Sequence, residues 1–309
     1  MNKRTMRFAA ISTLLSLGLL INGCQEVGPN INLGNNRTVA SSTYIESPVQ
    51  TPEPRNVLIE EITGVSCNNC PAGHVILENL ITSTGGHVIG VSYHIGGAIF
   101  NQDALPPNTK QDMTSTDAQN IVKYVTSEGF PGYGPAGAVD RVFHPNAGPF
   151  SITSIWDAPT NWSGYTTSEL ASSNPTQVNI ALSNIYNAAT KKLSITAVLH
   201  YTATQTDSDR LSIFLTEDSI VTSQLFPSSL DTNYIHKHIM RAAVTNPLGD
   251  NISVPSFVAG RVDSVNYTFT LSAADSLWKP EHMNVVAFVH KYQNNRTDIL
   301  QAKTVKVIP

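Results

Sequence analysis

The run Val57-Leu58-Ile59-Glu60-Glu61-Ile62-Thr63-Gly64-Val65-Ser66-Cys67-Asn68-Asn69-Cys70-Pro71 decides how this chain is read. Val57-Leu58-Ile59 opens a strand that runs into Glu60-Glu61-Ile62, and Thr63 to Ser66 is a turn. Cys67 to Pro71 then opens a helix carrying Val75, Ile76, Leu77, Leu80 and Ile81 on one face, ended by Gly85-Gly86. Pro71 suits a first helical turn, where its missing N–H costs little. Two residues between cysteines in such a turn bring both sulfurs within bonding distance. The first sulfur then meets backbone N–H groups that lack helical partners, which favours a thiolate. A thiolate attacks a disulfide and a second thiol resolves the mixed intermediate. Cys67 is therefore the expected nucleophile and Cys70 the resolving thiol.

Working outward toward the C-terminus, His87 to His94 reads as a buried strand, followed by a polar excursion from Gly96 to Gln111. Ser115 or Thr116 caps a helix containing Ile121, Val122, Tyr124 and Val125. After Gly129 to Pro135 come a strand from Ala136 to Val142 and a helical stretch from Trp162 to Leu170. The order β-α-β-α-β-α predicts an α/β domain over 55–174. Beyond Ser172-Ser173-Asn174-Pro175 the apolar period becomes two, as in Val178/Ile180/Leu182, Leu211/Ile213/Leu215 and Val285/Ala287/Val289. Short strands at this spacing predict an antiparallel β-sandwich domain over 175–309.

Toward the N-terminus, Lys3, Arg4 and Arg7 precede an apolar run from Phe8 to Ile21 that is short for a membrane span. Residues 1–23 read as an export signal. The stretch 24–54 is rich in Asn, Ser, Thr and Pro, has no apolar period, and is expected to be a flexible tether. The 309 residues carry 19 Lys+Arg and 23 Asp+Glu. Without Lys3, Arg4 and Arg7 the balance is 16 against 23, a net charge of −7 with His neutral. A nucleic-acid partner is set aside on this acidity.

Leu20-Ile21-Asn22-Gly23-Cys24 resembles the bacterial lipobox, which implies cleavage before Cys24, lipid on its thiol, and a membrane partner through that lipid. Gln25 after it favours the outer membrane by the same resemblance. Three cysteines are present in all, so lipidation of Cys24 leaves Cys67 and Cys70 to pair in an oxidising compartment.

The strand followed by Cys67-x-x-Cys70 is similar to the active-site start of thioredoxin-like proteins. That likeness implies that Pro135, in Gly134-Pro135-Ala136, is the cis-proline beside the disulfide. It also gives Glu61 the place of the buried acid that shuttles protons for the resolving thiol. Ser66 stands where thioredoxins carry Trp. The whole order resembles the outer membrane protein 28 family of Bacteroidetes lipoproteins. The matching pieces are the lipobox, Cys67-x-x-Cys70-Pro71, Tyr133-Gly134-Pro135-Ala136-Gly137 leading to Asp140-Arg141, Leu215-x-Glu217-Asp218, and His236-x-His238-x-x-Arg241. This resemblance implies a thioredoxin-like α/β domain followed by an Ig-like sandwich.

Two functions follow from different classes. One is thiol–disulfide exchange on exported protein clients; the other is a cell-envelope binding or adhesion lipoprotein in which Cys67–Cys70 is a structural staple. No cofactor is expected. His74 near the cysteines, or His236 and His238 on one face of a strand, could ligate metal, but packing is the favoured reading and no metal is expected. No phosphate loop, nucleophile elbow or zinc-protease helix occurs.

Overall fold

In the computed structural model of the chain, residues 38–96, 109–125, 132–144, 154–171, 175–206, 208–271, 275–292 and 297–309 are described. The leader 1–23 and the lipidation candidate Cys24 lie outside them. So does 24–37 of the expected tether. Its remainder is not a plain tether: Thr38–Ile45 forms strand β1, and Asn179 Nδ2 donates to the Thr51 carbonyl at 2.9 Å.

The first half supplies β2 (Val57–Thr63), α1 (Cys70–Ser83), β3 (Val88–His94), α2 (Thr116–Tyr124), β4 (Ala136–Val139) and α3 (Pro159–Glu169). Helix α2 is capped by the Ser115 hydroxyl, which accepts from Ala118 N. The second half supplies β5 (Val178–Asn187), β6 (Lys192–Tyr201), β7 (Asp209–Glu217), β8 (Ile220–Leu225) and β9 (Leu230–His236). It continues with β10 (Ile239–Ala243), β11 (Asp250–Asn251), β12 (Arg261–Thr270), β13 (Met283–Lys291) and β14 (Ile299–Lys306).

These elements do not sort into a thioredoxin-like α/β domain followed by an Ig-like sandwich. Among the described residues strand outweighs helix, 44% against 17%, and one eight-stranded sheet draws on both halves of the chain in the order β14-β13-β7-β10-β3-β2-β4, with β11 beside β7. The junction is β3 with β10, where Ser92 N donates to the His238 carbonyl at 2.8 Å. Strands β5, β6 and β12 instead join β1 in a four-stranded sheet, and β8–β9 forms a separate hairpin. The physical reason is edge satisfaction. A strand edge is a row of backbone donors and acceptors that must be paired when buried, and β10 pairs the buried edge of β3. Apolar period reveals that a strand exists, not which strand lies beside it.

The long sheet has apolar residues on both faces. Leu211, Ile213, Leu215, Val285, Ala287 and Val289 pack against Ile180, Leu193, Ile195 and Leu199 of the four-stranded sheet. Leu58, Ile62, Val91, Tyr93, Phe214 and Phe288 form a second core with Ile121 and Val122 of α2. On the opposite face of β2, Val57 and Ile59 meet Leu77 and Leu80 of α1 and Trp162 of α3. Burying Leu77 and Leu80 stabilises the fold by roughly 1.5–3 kcal/mol each. The buried face of α1 is Cys70, Gly73, Leu77 and Leu80, the spacing of a helical stripe. Val75, expected on that face, is 59% exposed.

Candidate functional site

The site is built where β2 ends and α1 begins. Cys67 N donates to the Gly64 carbonyl at 3.0 Å and Cys70 N to the Cys67 carbonyl at 3.2 Å, closing two turns ahead of the helix. Helix α1 starts at Cys70, with Asn69 as its cap and Pro71 in the first turn. Cys67 and Cys70 are joined as a disulfide, their Cα atoms 5.4 Å apart. Cys67 is 5% exposed and Cys70 fully buried, while Asn68 and Asn69 between them are exposed.

Glu61 and Pro135 converge on the next turn of the same helix face. Gly73 lies three residues after Cys70, and a Cβ added to it would sit 2.6 Å from Glu61 Oε1 and 3.0 Å from Pro135 Cβ. Only a glycine lets the carboxyl and the proline ring approach so closely. The Gly134–Pro135 peptide is cis. Glu61 is fully buried. Its Oε2 accepts from Ser92 Oγ at 3.3 Å, and its Oε1 has no hydrogen-bond partner among the described residues. Burial pushes this carboxyl up to about 8, opposed only by the Ser92 hydrogen bond.

His74 stands on the solvent side of Glu61. Its Nε2 is 3.9 Å from Glu61 Oε1 and 2.8 Å from Thr63 Oγ1, and its Nδ1 is 2.8 Å from the Tyr234 hydroxyl. Burial, with smaller contributions from His94 and His238, lowers His74 to about 3, so its imidazole is neutral. A cavity of about 600 Å³ opens here between α1 and β9, lined by Glu61, His74, Glu78, Tyr234, His236 and His238 among others.

The second half of the chain closes the site. Gln224 on β8 donates through Nε2 to the Cys67 carbonyl at 2.9 Å, and Leu225 N donates to the Val65 carbonyl at 2.9 Å. The hairpin β8–β9 is thus fastened to the backbone of the cysteine loop. His236 and His238 do not share a strand face. His236 ends β9, is buried, and has Nε2 3.2 Å from the Ser223 carbonyl; burial lowers it to about 2. His238 sits in the following turn at φ 58°, with Nε2 2.6 Å from Glu78 Oε1. No group of three or more His, Cys, Asp or Glu among the described residues is arranged to hold a metal ion.

The other motif residues fasten rather than react. Arg141 grips Glu60 through Nε and Nη2, both at 2.6 Å, and Tyr93 donates to the same carboxylate. Asp140 accepts from Leu58 N at 2.8 Å and from Arg55 at 2.7 Å. Glu217 pairs with Arg241 at 2.7 Å, and Asp218 accepts from His238 N. Sequence reasoning placed Glu61, Cys67, Cys70 and Pro135 in one neighbourhood, and the structure brings Glu61 and Pro135 to the helix turn after Cys70. It missed Gly73, His74, Tyr234 and Gln224 as parts of that neighbourhood. His74 had a signal, four residues from Cys70 on a helix; Tyr234 and Gln224 had none, being some 160 residues away.

The model of the family described as outer membrane protein Omp28 matches residues 123–308. This chain belongs to the Omp28 family. It is accordingly an outer-membrane protein, and the matched segment includes Pro135 while Cys67 and Cys70 precede it. Among solved structures, HBP35 of Porphyromonas gingivalis is similar over 83% of this chain and 76% of its own, at 16% identity and a TM-score of 0.61, which shows a shared fold. Protein AGR_C_4864 from Agrobacterium tumefaciens aligns over 82% of this Omp28-family chain and 95% of its own, at 12% identity and a TM-score of 0.49. A domain of the outer membrane lipoprotein Omp28 from Porphyromonas gingivalis aligns over 43% of this chain and 90% of its own, at 19% identity and a TM-score of 0.30. No curated protein matches.

Proposed function

We propose that this Omp28-family protein is held to the outer membrane by lipid on Cys24, after removal of 1–23, and exchanges disulfides with exported proteins through Cys67 and Cys70. The observation that carries the exchange reading is Glu61: a buried carboxyl with one oxygen unpaired among the described residues, set against the helix turn that follows Cys70. A carboxyl held near neutrality can take the resolving thiol's proton and return it. A disulfide with a purely structural task has no use for such a group, and burying it unpaired costs stability. Cys67 is the sulfur a client meets, beside exposed Asn68 and Asn69, and Pro135 flanks the same turn.

The test is direct. The mature chain, equilibrated in glutathione buffers, should show one two-electron couple and should reduce or oxidise a test disulfide. Cys67→Ala should abolish both; full activity in that variant would end the exchange reading. Labelling cells with a fatty-acid analogue should mark the wild-type chain and not Cys24→Ser.

The 5% exposure of Cys67 favours a second reading, an envelope binding or adhesion lipoprotein with Cys67–Cys70 as a staple. In that case Cys67→Ala/Cys70→Ala keeps wild-type binding to envelope or host surfaces, and wild-type protein exchanges no disulfide.

A further inference from the structure

We propose that His74 is a positioning residue that carries protons between Glu61 and solvent through the cavity between α1 and β9. The proposal deepens the exchange reading of Cys67–Cys70 and rests on it.

Glu61 has a transport problem. When Cys70 resolves a mixed disulfide, its sulfur bonds to Cys67 sulfur, the Cys67–client bond breaks, and the client leaves as a thiolate. The two electrons pass to the client sulfurs. The Cys70 proton goes to Glu61, which holds a proton of its own up to about pH 8 and must release it to solvent before each resolution. Glu61 is fully buried, so it cannot reach bulk water by itself. Glu61, whose Oε1 has no hydrogen-bond partner among the described residues, lines a cavity of about 600 Å³ with both polar and apolar walls, wide enough for several waters. Asn79, Asp231, Asn233 and Lys237 on its rim are exposed, so the cavity opens outward.

His74 is the group that spans the gap. Nε2 lies 3.9 Å from Glu61 Oε1, a separation one bridging water or a small carboxyl rotation closes. Nδ1 lies 2.8 Å from the Tyr234 hydroxyl. A neutral imidazole that accepts at one nitrogen and donates from the other moves a proton without holding charge. The Glu61 proton enters at Nε2, the Nδ1 proton passes to Tyr234 oxygen, and the phenolic proton leaves to cavity water. One proton enters and one departs. The surroundings enforce neutrality. Thr63 faces His74 from β2 and His94 from β3, Tyr234 and His236 face it from β9, and Glu78 and His238 lie on the outer side. Burial keeps the imidazole well below its ordinary value, so the pH dependence of exchange should follow Glu61, not His74.

The experiment follows reduced mature protein reacting with oxidised glutathione in single turnovers across pH. His74→Gln keeps a hydrogen-bonding chain of similar length but cannot relay; His74→Ala empties the place of the ring. Both should slow resolution roughly tenfold, less than the 10²–10⁴ of direct acid–base catalysis. Added imidazole should restore the Ala variant in proportion to its concentration and leave the Gln variant slow. Should His74→Ala fail to fold, His74→Gln decides by its rate alone: unchanged resolution overturns the relay. Wild-type rates in both variants, or slowing of His74→Ala that imidazole does not reverse, also overturn it. Should Glu61→Gln slow resolution while the His74 variants do not, the relay falls and exchange stands. Should Cys67→Ala exchange as fast as wild type, both fall.

Discussion

Glu60 and Glu61 are neighbours on β2, of the same residue type, and both fully buried. They face opposite sides of the sheet, because successive strand residues alternate. On the α2 side, Glu60 is gripped by Arg141 in a two-pronged pair and accepts from Tyr93. On the α1 side, Glu61 has one long hydrogen bond from Ser92 and an oxygen with none among the described residues. The first arrangement satisfies a buried charge and fixes the geometry of β2, β3 and the loop after β4. The second keeps a carboxyl near neutrality beside a disulfide and a cavity. Burial alone thus does not say what a carboxyl is for; its partners do.

The comparison breaks most visibly at Arg141. Arg141→Leu leaves the buried Glu60 carboxyl with Tyr93 alone, and thermal unfolding should show a loss of about 3–5 kcal/mol. Glu61→Gln should act the other way. It should slow exchange about a hundredfold while removing a pH dependence of stability. The folded chain holds the Glu61 proton up to about pH 8, whereas the unfolded chain releases it near 4.5. Stability therefore falls as pH rises through that window, by on the order of a few kcal/mol. Denaturant titrations at pH 5 and 9 should show that slope in wild type and a flatter one in Glu61→Gln. Gly73→Ala should come next. Its methyl would collide with Glu61 Oε1 and the Pro135 ring, costing about 1–3 kcal/mol in unfolding and slowing exchange by displacing the carboxyl. Lys303→Ala is the control. Lys303 meets Glu53 at 3.7 Å, with side chains 39% and 43% exposed, and its loss should move stability by less than about 0.5 kcal/mol.

Local elements were legible because local rules write them. Cys70-Pro71 followed by apolar positions on one face marks α1, and Ser115 marks the start of α2. The alternation at Leu211, Ile213 and Leu215 marks β7. The α/β domain and separate sandwich that the periodicity predicts do not form apart, because β3 takes β10 as its neighbour across some 150 residues of chain. Pairing of that kind depends on which edges are buried together, and no periodicity records it. Glu61 was legible by its spacing from Cys67. Its oxygen without a partner was not, since that depends on what Ser92, Gly73 and Pro135 leave open.

The sequence by itself determined the family, the cysteine pair that begins α1, and the acid placed six residues before it, because these are matters of spacing along one chain. Only the tertiary structure decided that both halves share a sheet, that Gln224 is fastened to the cysteine loop, and that His74 and Tyr234 stand between Glu61 and water. Those contacts arise when distant edges and buried polar groups find partners, and that outcome is set by packing in three dimensions, not by order in one.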